Sequence, residues 1–447
     1  MRFSRRALWR SSVAGGLVFA ALHARGESGD GSIGASASAP VIESPAPVEG
    51  RDFVKDSLGL SGSVRAADFS KDKSFSAKTG YAIASIWATA TPQELWGIRT
   101  YFDGRAQRQD LGRDSRVSWE LREGYAQIAL GNFDLRAGRQ ITVWGRADKV
   151  NPTDAWSTRD FTLLAPNDED QRLGVASLQG MWNFGAYRAI GLWQPEWRFP
   201  GVPIPPLPAG ASVRNVAPAD PAGQFGLKLD HSGEGVDWSV SYSHSIDRTP
   251  DLRVLAASPQ GPSLGLVYRK VATIGADAAV PIGKYGLRGE VAYTRTQDRD
   301  GTDPLTKNRN VFIVLGAERT FDGELNINAQ YLYRRTFDFI APSLISNPNT
   351  RLLAAQVDLL SNQLAQDMHG ASLRINYKAW NDTLESEVAA AIWFKKGDSA
   401  IRPKVMYAFT DHFKGIVGGE IYRGPSQSFF GRLNRTSAGY VELQFGF

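Results

Sequence analysis

From about residue 58 onward the chain alternates apolar and polar positions with a period of two, in one segment after another. That period belongs to a β-strand with one apolar face. In 324–334, Leu325, Ile327, Ala329, Tyr331 and Tyr333 share one face, and Asn326, Asn328, Gln330 and Arg334 the other. In the same way Leu373, Ile375, Tyr377 and Ala379 oppose Arg374, Asn376 and Lys378, while Val405, Tyr407 and Phe409 oppose Arg402, Lys404 and Met406. A soluble sandwich would turn its apolar face inward. Here the other face is crowded with charge, which is cheap to hydrate only in a water-filled or loop-lined interior, so the apolar face is expected in lipid. About 18 such segments run from 58–70 to 436–447, with 16 as the neighbouring even count.

The connections carry a second pattern. Tight turns are expected at Gly131-Asn132, near Gly185, at Ser232–Gly235, near Pro281–Gly283, at Asp322-Gly323, Asn381-Asp382 and Asp411-His412. Between them fall long connections at about 108–117, 144–170, 198–222, 248–262, 299–308, 338–369 and 425–435. Short turns at one end and long loops at the other are the rule for bacterial outer-membrane barrels, with short periplasmic turns and long extracellular loops. The chain then closes on Tyr440-Val441-Glu442-Leu443-Gln444-Phe445-Gly446-Phe447. Phe445 and Phe447 in this alternating end look like the signal recognised by the barrel-assembly machinery. The expected fold is all-β: a transmembrane antiparallel barrel over 58–447, with the lipid bilayer of the outer membrane as its first partner.

The first residues belong to export rather than to the fold. Arg2, Arg5, Arg6 and Arg10 precede the apolar run Val13–Leu22, and small residues follow at Ala24 and Gly26, so 1–26 reads as a signal peptide. Arg5-Arg6 leaves a twin-arginine route open beside the ordinary secretory one. Residues 27–57 read as a Ser/Ala/Pro/Gly-rich disordered periplasmic linker. The formal charge of +5 is carried mainly by the arginines of the leader, so nucleic-acid binding is not supported. The chain has no cysteine, which removes disulfides and thiolate chemistry.

Candidate chemistry concentrates in 121–172. Closure of a hairpin at Gly131-Asn132 places Arg139 opposite Gly124, one step from Glu123, so Glu123 and Arg139 are a candidate structural ion pair, with Gly138 a permissive point for a bulge. The long connection 144–170 is charged yet rich in aromatic and aliphatic residues that want burial, which suggests a loop folded into the lumen. Arg139, Trp144, Arg146, Asp148, Asn151, Asp154, Arg159 and Asp160 are its candidate constriction or solute-binding residues. Opposed charges at such a point set up a field that filters solutes. Asp148-x-x-Asn151-Pro152-x-Asp154 and Asn167–Asp170 could offer oxygens to Ca²⁺, but neither follows a known loop pattern, and no metal or cofactor is expected.

The wording GRQITVWGRADKVNPTDAWSTRDFTLL resembles a family of proteobacterial outer-membrane porins of uncharacterised function, distantly like alginate-export barrels. The family's marks are matched by Gly138-Arg139-Gln140, Trp144-Gly145 with Asp148, Asn151-Pro152 with Asp154, and Ser157 with Asp160. Thr158 stands where the family often has proline. The resemblance spans about 50 residues and implies a barrel and transport; it supplies no solute and no catalytic residue.

Further features are weaker. Residues 198–208 read as a stiff proline-rich loop, and 349–367 as an amphipathic helix on or in the barrel mouth. His244, among Ser241, Ser243 and Ser245, is the one histidine placed for hydrolysis, but alternation gives Ser243 and Ser245 the opposite face, so no enzyme is expected. The leading expectation is a channel gated by 144–170, passing a small-molecule or oligosaccharide solute, with a homo-oligomer left open. The alternatives are a plugged barrel that binds a polysaccharide or protein at the surface and, last, an outer-membrane lipid hydrolase.

Overall fold

The computed structural model describes residues 58–75, 79–110, 116–205, 209–259 and 261–447. The signal-peptide and linker segments, 1–26 and 27–57, lie outside the described residues, as does 206–208 of the proline-rich loop.

Eighteen strands form one antiparallel sheet, and the first, Leu60–Phe69, pairs both with its successor Tyr81–Ala90 and with the last, Ala438–Gly446. The sheet therefore has no free edge, which is the condition for crossing a bilayer with strands. Closure is finished by Phe447 and Gly62, which exchange two backbone hydrogen bonds of 3.0 Å. Phe445 lies on the outward face, half exposed.

The alternation sorts side chains as the sequence requires. Outward positions are apolar and bare: Trp119 is 83% exposed, Leu227 and Ile274 60% each. Inward positions of the barrel strands are polar yet buried, among them Ser239, Ser243, Asp277, Glu290, Asn328 and Gln330. A sheet with water-loving groups inside and bare hydrophobics outside has its solvent order inverted relative to a soluble domain, and lipid outside resolves it. The chain is an outer-membrane-type β-barrel.

Tight turns gather at one end. Asp322 and Gly323 both take positive φ (49° and 77°), left-handed conformations that help close the three-residue turn between the paired Phe321 and Leu325. The other end carries most of the long connections, and three of these together build a cap of their own. Ser212–Val216, Asp251–Ser258 and Gly261–Val267 form a separate three-stranded sheet, with Gly261–Val267 in the middle. Beside it lies the helix Pro348–Ser361, started by Asn347, whose side chain accepts from Asn349 and Thr350 N–H, and ended at a left-handed Asn362. Val357 of the helix packs with Ile246, Leu252, Leu266 and Tyr268, giving this end a small apolar core of its own. The stretch 263–278 is one of the alternating segments of the sequence, but the structure divides it: Leu264 and Leu266 are drawn into this cap and the barrel strand starts at Lys270.

Candidate functional site

The connection 141–174 returns into the barrel and crosses it as a strap. Its path is fixed by what it touches. Trp144 and Trp156 are both buried, edge to face at 5.5 Å, and cluster with Leu192. Ala147 and Val150 pack on an apolar patch of the inner wall built from Phe312, Val314, Leu332, Met368 and Trp393. Glu290, inward on Tyr285–Arg295, accepts the Ala147 N–H at 3.0 Å, and the Thr153 N–H and hydroxyl at 2.7 Å each. Arg146 is held by Asp277 and, at 3.2 Å, by Asp230. Asp148 receives Arg374 Nε at 2.7 Å.

The far half of the strap meets the opposite kind of wall. The 3-10 turn Asp168–Gln171 carries three acids in succession. Asp168 pairs with Arg402 and, at 3.4 Å, with Lys149. Asp170 takes Arg65 at 2.9 Å on its carboxylate and Arg105 at 2.7 Å on its carbonyl. Arg122 reaches the Glu169 carbonyl at 3.0 Å. Arg65, Arg105 and Arg122 also crowd one indole, 4.2–5.2 Å from the centre of the Trp87 ring. Three guanidiniums so close together would repel one another; the acidic turn, with Asp103 and Glu120 on the wall, supplies their counter-charge.

Of the eight residues singled out from sequence, Arg146 and Asp148 bridge strap and wall. Four hold the strap together from within. Trp144 is buried against Trp156, and Asn151 donates to the Ala147 carbonyl at 2.7 Å. Asp154 accepts the Trp156 and Ser157 N–H groups and faces Arg172 at 3.6 Å; burial raises its pKa while Arg172 opposes the rise. Asp160 caps Thr162, accepting its N–H at 2.9 Å. Arg159 lies in the two-residue pairing with Arg172, where burial and the charge of Arg172 lower its pKa.

Arg139 corrects the expectation twice. It does not pair with Glu123: its guanidinium donates to the Gly174 carbonyl and to Glu196, both at 2.9 Å, while Glu123 accepts the Ile141 N–H at 2.8 Å. The register explains this. Arg139 sits across from Gly124, which is adjacent to Glu123 on the strand and so faces the other way. Nor does Arg139 line the lumen. It shares its row with Leu135 and Ala137 near the strand end Gln140, at the rim rather than the midplane. The expected break in register occurs one strand earlier, between Asp103 and Gly104, although Gly138 does take a positive φ of 132°.

Sequence reasoning passed over Thr153, Asp230 and Asp277, placed Glu290 only as one of the lumen charges, and did not place Asp168, Glu169 and Asp170 among the site residues. The three consecutive acids opposite inward arginines were the available signal. Alternation puts Glu290 in the lumen but says nothing of its role, which is to accept backbone N–H groups from a segment far away in sequence. Both acid groups weighed for Ca²⁺ are taken by cationic side chains, and among the described residues no cluster of His, Asp and Glu is arranged for a metal. His244 lies beside Phe225 on the outward face, the rings tilted with centroids 5.5 Å apart, while Ser243 and Ser245 are buried on the inward one.

No protein-family model matches the chain, and no curated protein matches it either. Solved structures do. Pseudomonas aeruginosa OccK11 (OpdR) is similar at 9% identity and a TM-score of 0.50, over 87% of this chain and 95% of that one. Pseudomonas aeruginosa OccK5 (OpdH) gives 11% and 0.50 over 87% and 96%. Pseudomonas aeruginosa OpdK, solved with vanillate, gives 8% and 0.50 over 87% and 97%. At such identities the likeness lies in the fold, and it is to barrels whose architecture this chain shares nearly end to end.

Proposed function

We propose that this barrel is a channel for small polar solutes across the outer membrane, narrowed by the strap 141–174. The observation that carries it is the chemistry of the crossing. The far half of the strap meets the wall mainly through ion pairs, and ions in a lumen stay hydrated and exchange partners, whereas a permanent plug would be sealed by apolar packing. The fold likeness to outer-membrane porins supports the same reading. The wall is mixed in sign, with Arg65, Arg105, Arg374 and Arg402 answered by Asp103, Glu290, Glu387 and Glu420. A polyanion such as alginate would call for a continuous basic track, so a small solute fits better.

A second reading, a plugged barrel that binds at its surface, draws on the buried Trp144–Trp156 anchor and on the structured cap. Planar-bilayer recordings separate the two. Refolded 58–447 is expected to conduct in discrete steps, and a variant lacking 147–168 to conduct severalfold more. If neither form conducts, the barrel is not a pore and the surface reading replaces it.

A further inference from the structure

Between the acidic turn of the strap and the wall lies a cavity of about 260 Å³, room for on the order of nine waters. Lys149, Asp168, Glu387, Arg402, Lys404 and Glu420 all face it. These groups are not paired alike. On the neighbouring wall, Arg105–Glu120 and Arg122–Asp103 close at 2.6 Å, the length of a strong charge-assisted hydrogen bond. Around the cavity, Lys404 and Glu387 stand 3.6 Å apart, Lys149 and Asp168 3.4 Å, Arg402 and Glu420 3.3 Å, and Lys404 lies 3.3 Å from the Asn167 side-chain oxygen. Arg402 is also bonded directly to Asp168, and Glu420 to Lys73 and the Tyr422 hydroxyl. The loosely held groups are therefore Lys404, Glu387 and Lys149, whose charges attract without a short hydrogen bond and keep capacity for another partner.

The sheet register explains why the space stays open. Glu387 and Lys404 are cross-strand neighbours, and one row along, Ala389 stands opposite Arg402, where a methyl group leaves room over the guanidinium stem. Loosely paired charges of both signs within one small space match a molecule carrying both signs itself. A simple anion would meet Glu387 and Glu420, and a simple cation would meet Lys149 and Lys404.

Resting on the channel reading, we propose that this cavity is a subsite for a small zwitterion of amino-acid size. Its carboxylate is taken by Lys404 and Lys149, and its ammonium by Glu387, with Glu420 behind it. The solute inserts between Lys404 and Glu387 and replaces their long contact with two short ones.

The test uses the refolded 58–447 chain in detergent and saturation-transfer NMR titrations with L-alanine, with acetate and ethylamine at matched ionic strength as single-charge probes. Alanine is expected to bind at least tenfold more tightly than either probe. Glu387→Gln and Lys404→Met are each expected to weaken it about tenfold, as the loss of one charge-assisted contact would. Ala389→Leu fills the space without altering any charge and should also abolish binding; heat-dependent gel mobility confirms that each variant is folded. Alanine binding no tighter than acetate or ethylamine overturns the proposal, as does unchanged binding in the folded variants. Conductance of the same preparation is read separately. Binding without conductance removes the channel reading and keeps the subsite, whereas conductance without binding does the reverse.

Discussion

The two halves of the strap are fastened by different physics. The first, 144–156, adds to the ion pairs of Arg146 and Asp148 a large share of apolar burial and neutral donors: two buried tryptophans, Ala147 and Val150 on the inner wall, and the three bonds to Glu290. The second, 166–172, is fixed chiefly by ion pairs, with Leu164 alone nearby packing on the cluster of Phe69, Ile83, Ile416 and Tyr440. Burial of apolar surface is insensitive to salt and tolerates little displacement, whereas partly solvated ion pairs are individually weak and screened. The first half is therefore a fixed buttress and the second the part able to move. The cavity with the loosely paired charges lies beside the second half, where movement costs least.

The largest expected effect breaks the first half. Glu290→Ala leaves two buried backbone N–H groups and a hydroxyl of the strap without their acceptor, at about 1–3 kcal/mol for each unpaired group and not additively. The prediction is a released buttress. A cysteine at Val150 should pass from protected to maleimide-reactive, and single-channel current should rise severalfold. If Val150→Cys stays protected in the Glu290→Ala background, apolar packing and the ion pairs of Arg146 and Asp148 hold that half, and Glu290 is dispensable.

A smaller effect is expected in the second half. Arg402→Met removes one partner of Asp168 while Lys149 remains, a loss of about 1 kcal/mol for a partly exposed pair. Its signature is salt dependence. Labelling of a cysteine at Asn167 should rise between low and high KCl in the parent chain, and already be high at low salt in Arg402→Met. The same titration at Val150→Cys should be flat. Equal salt dependence at both positions would erase the distinction between the halves.

This contrast also explains what the sequence disclosed. The wall was legible because lipid on one side and a charged lumen on the other impose a period of two on every strand, and alternating connection lengths then gave direction and closure. The strap was legible in outline, since a connection with buried-type aromatics among charges has to fold inward. Its contacts were not, because they depend on which strands face one another across the barrel. The Glu123–Arg139 pairing failed for a local reason of the same kind: one step along a strand reverses the face. The cap sheet was missed because Ser212–Val216 is a short strand whose partner, Gly261–Val267, is distant in sequence, and no turn chemistry links them.

The cap offers the mildest perturbation and a control on the strap. Asp358, on the helix Pro348–Ser361, has no cationic partner among its perturbing neighbours, and burial pushes its pKa up to about 7. The folded cap thus holds a proton that the unfolded segment gives up near pH 4. Because the folded form binds more protons across that interval, its stability falls as pH rises from about 4 to about 7 and levels off above. Proteolytic nicking within 340–366 is therefore expected to be slow at pH 5 and faster at pH 8, and Asp358→Asn should make the rate independent of pH in that range. If the cap and the second half of the strap move together, labelling at Asn167→Cys will follow the same pH curve and lose it in Asp358→Asn. If the strap answers to its own ion pairs alone, its labelling will ignore the Asp358 substitution, and the cap is a separate body that sits above the lumen without controlling it.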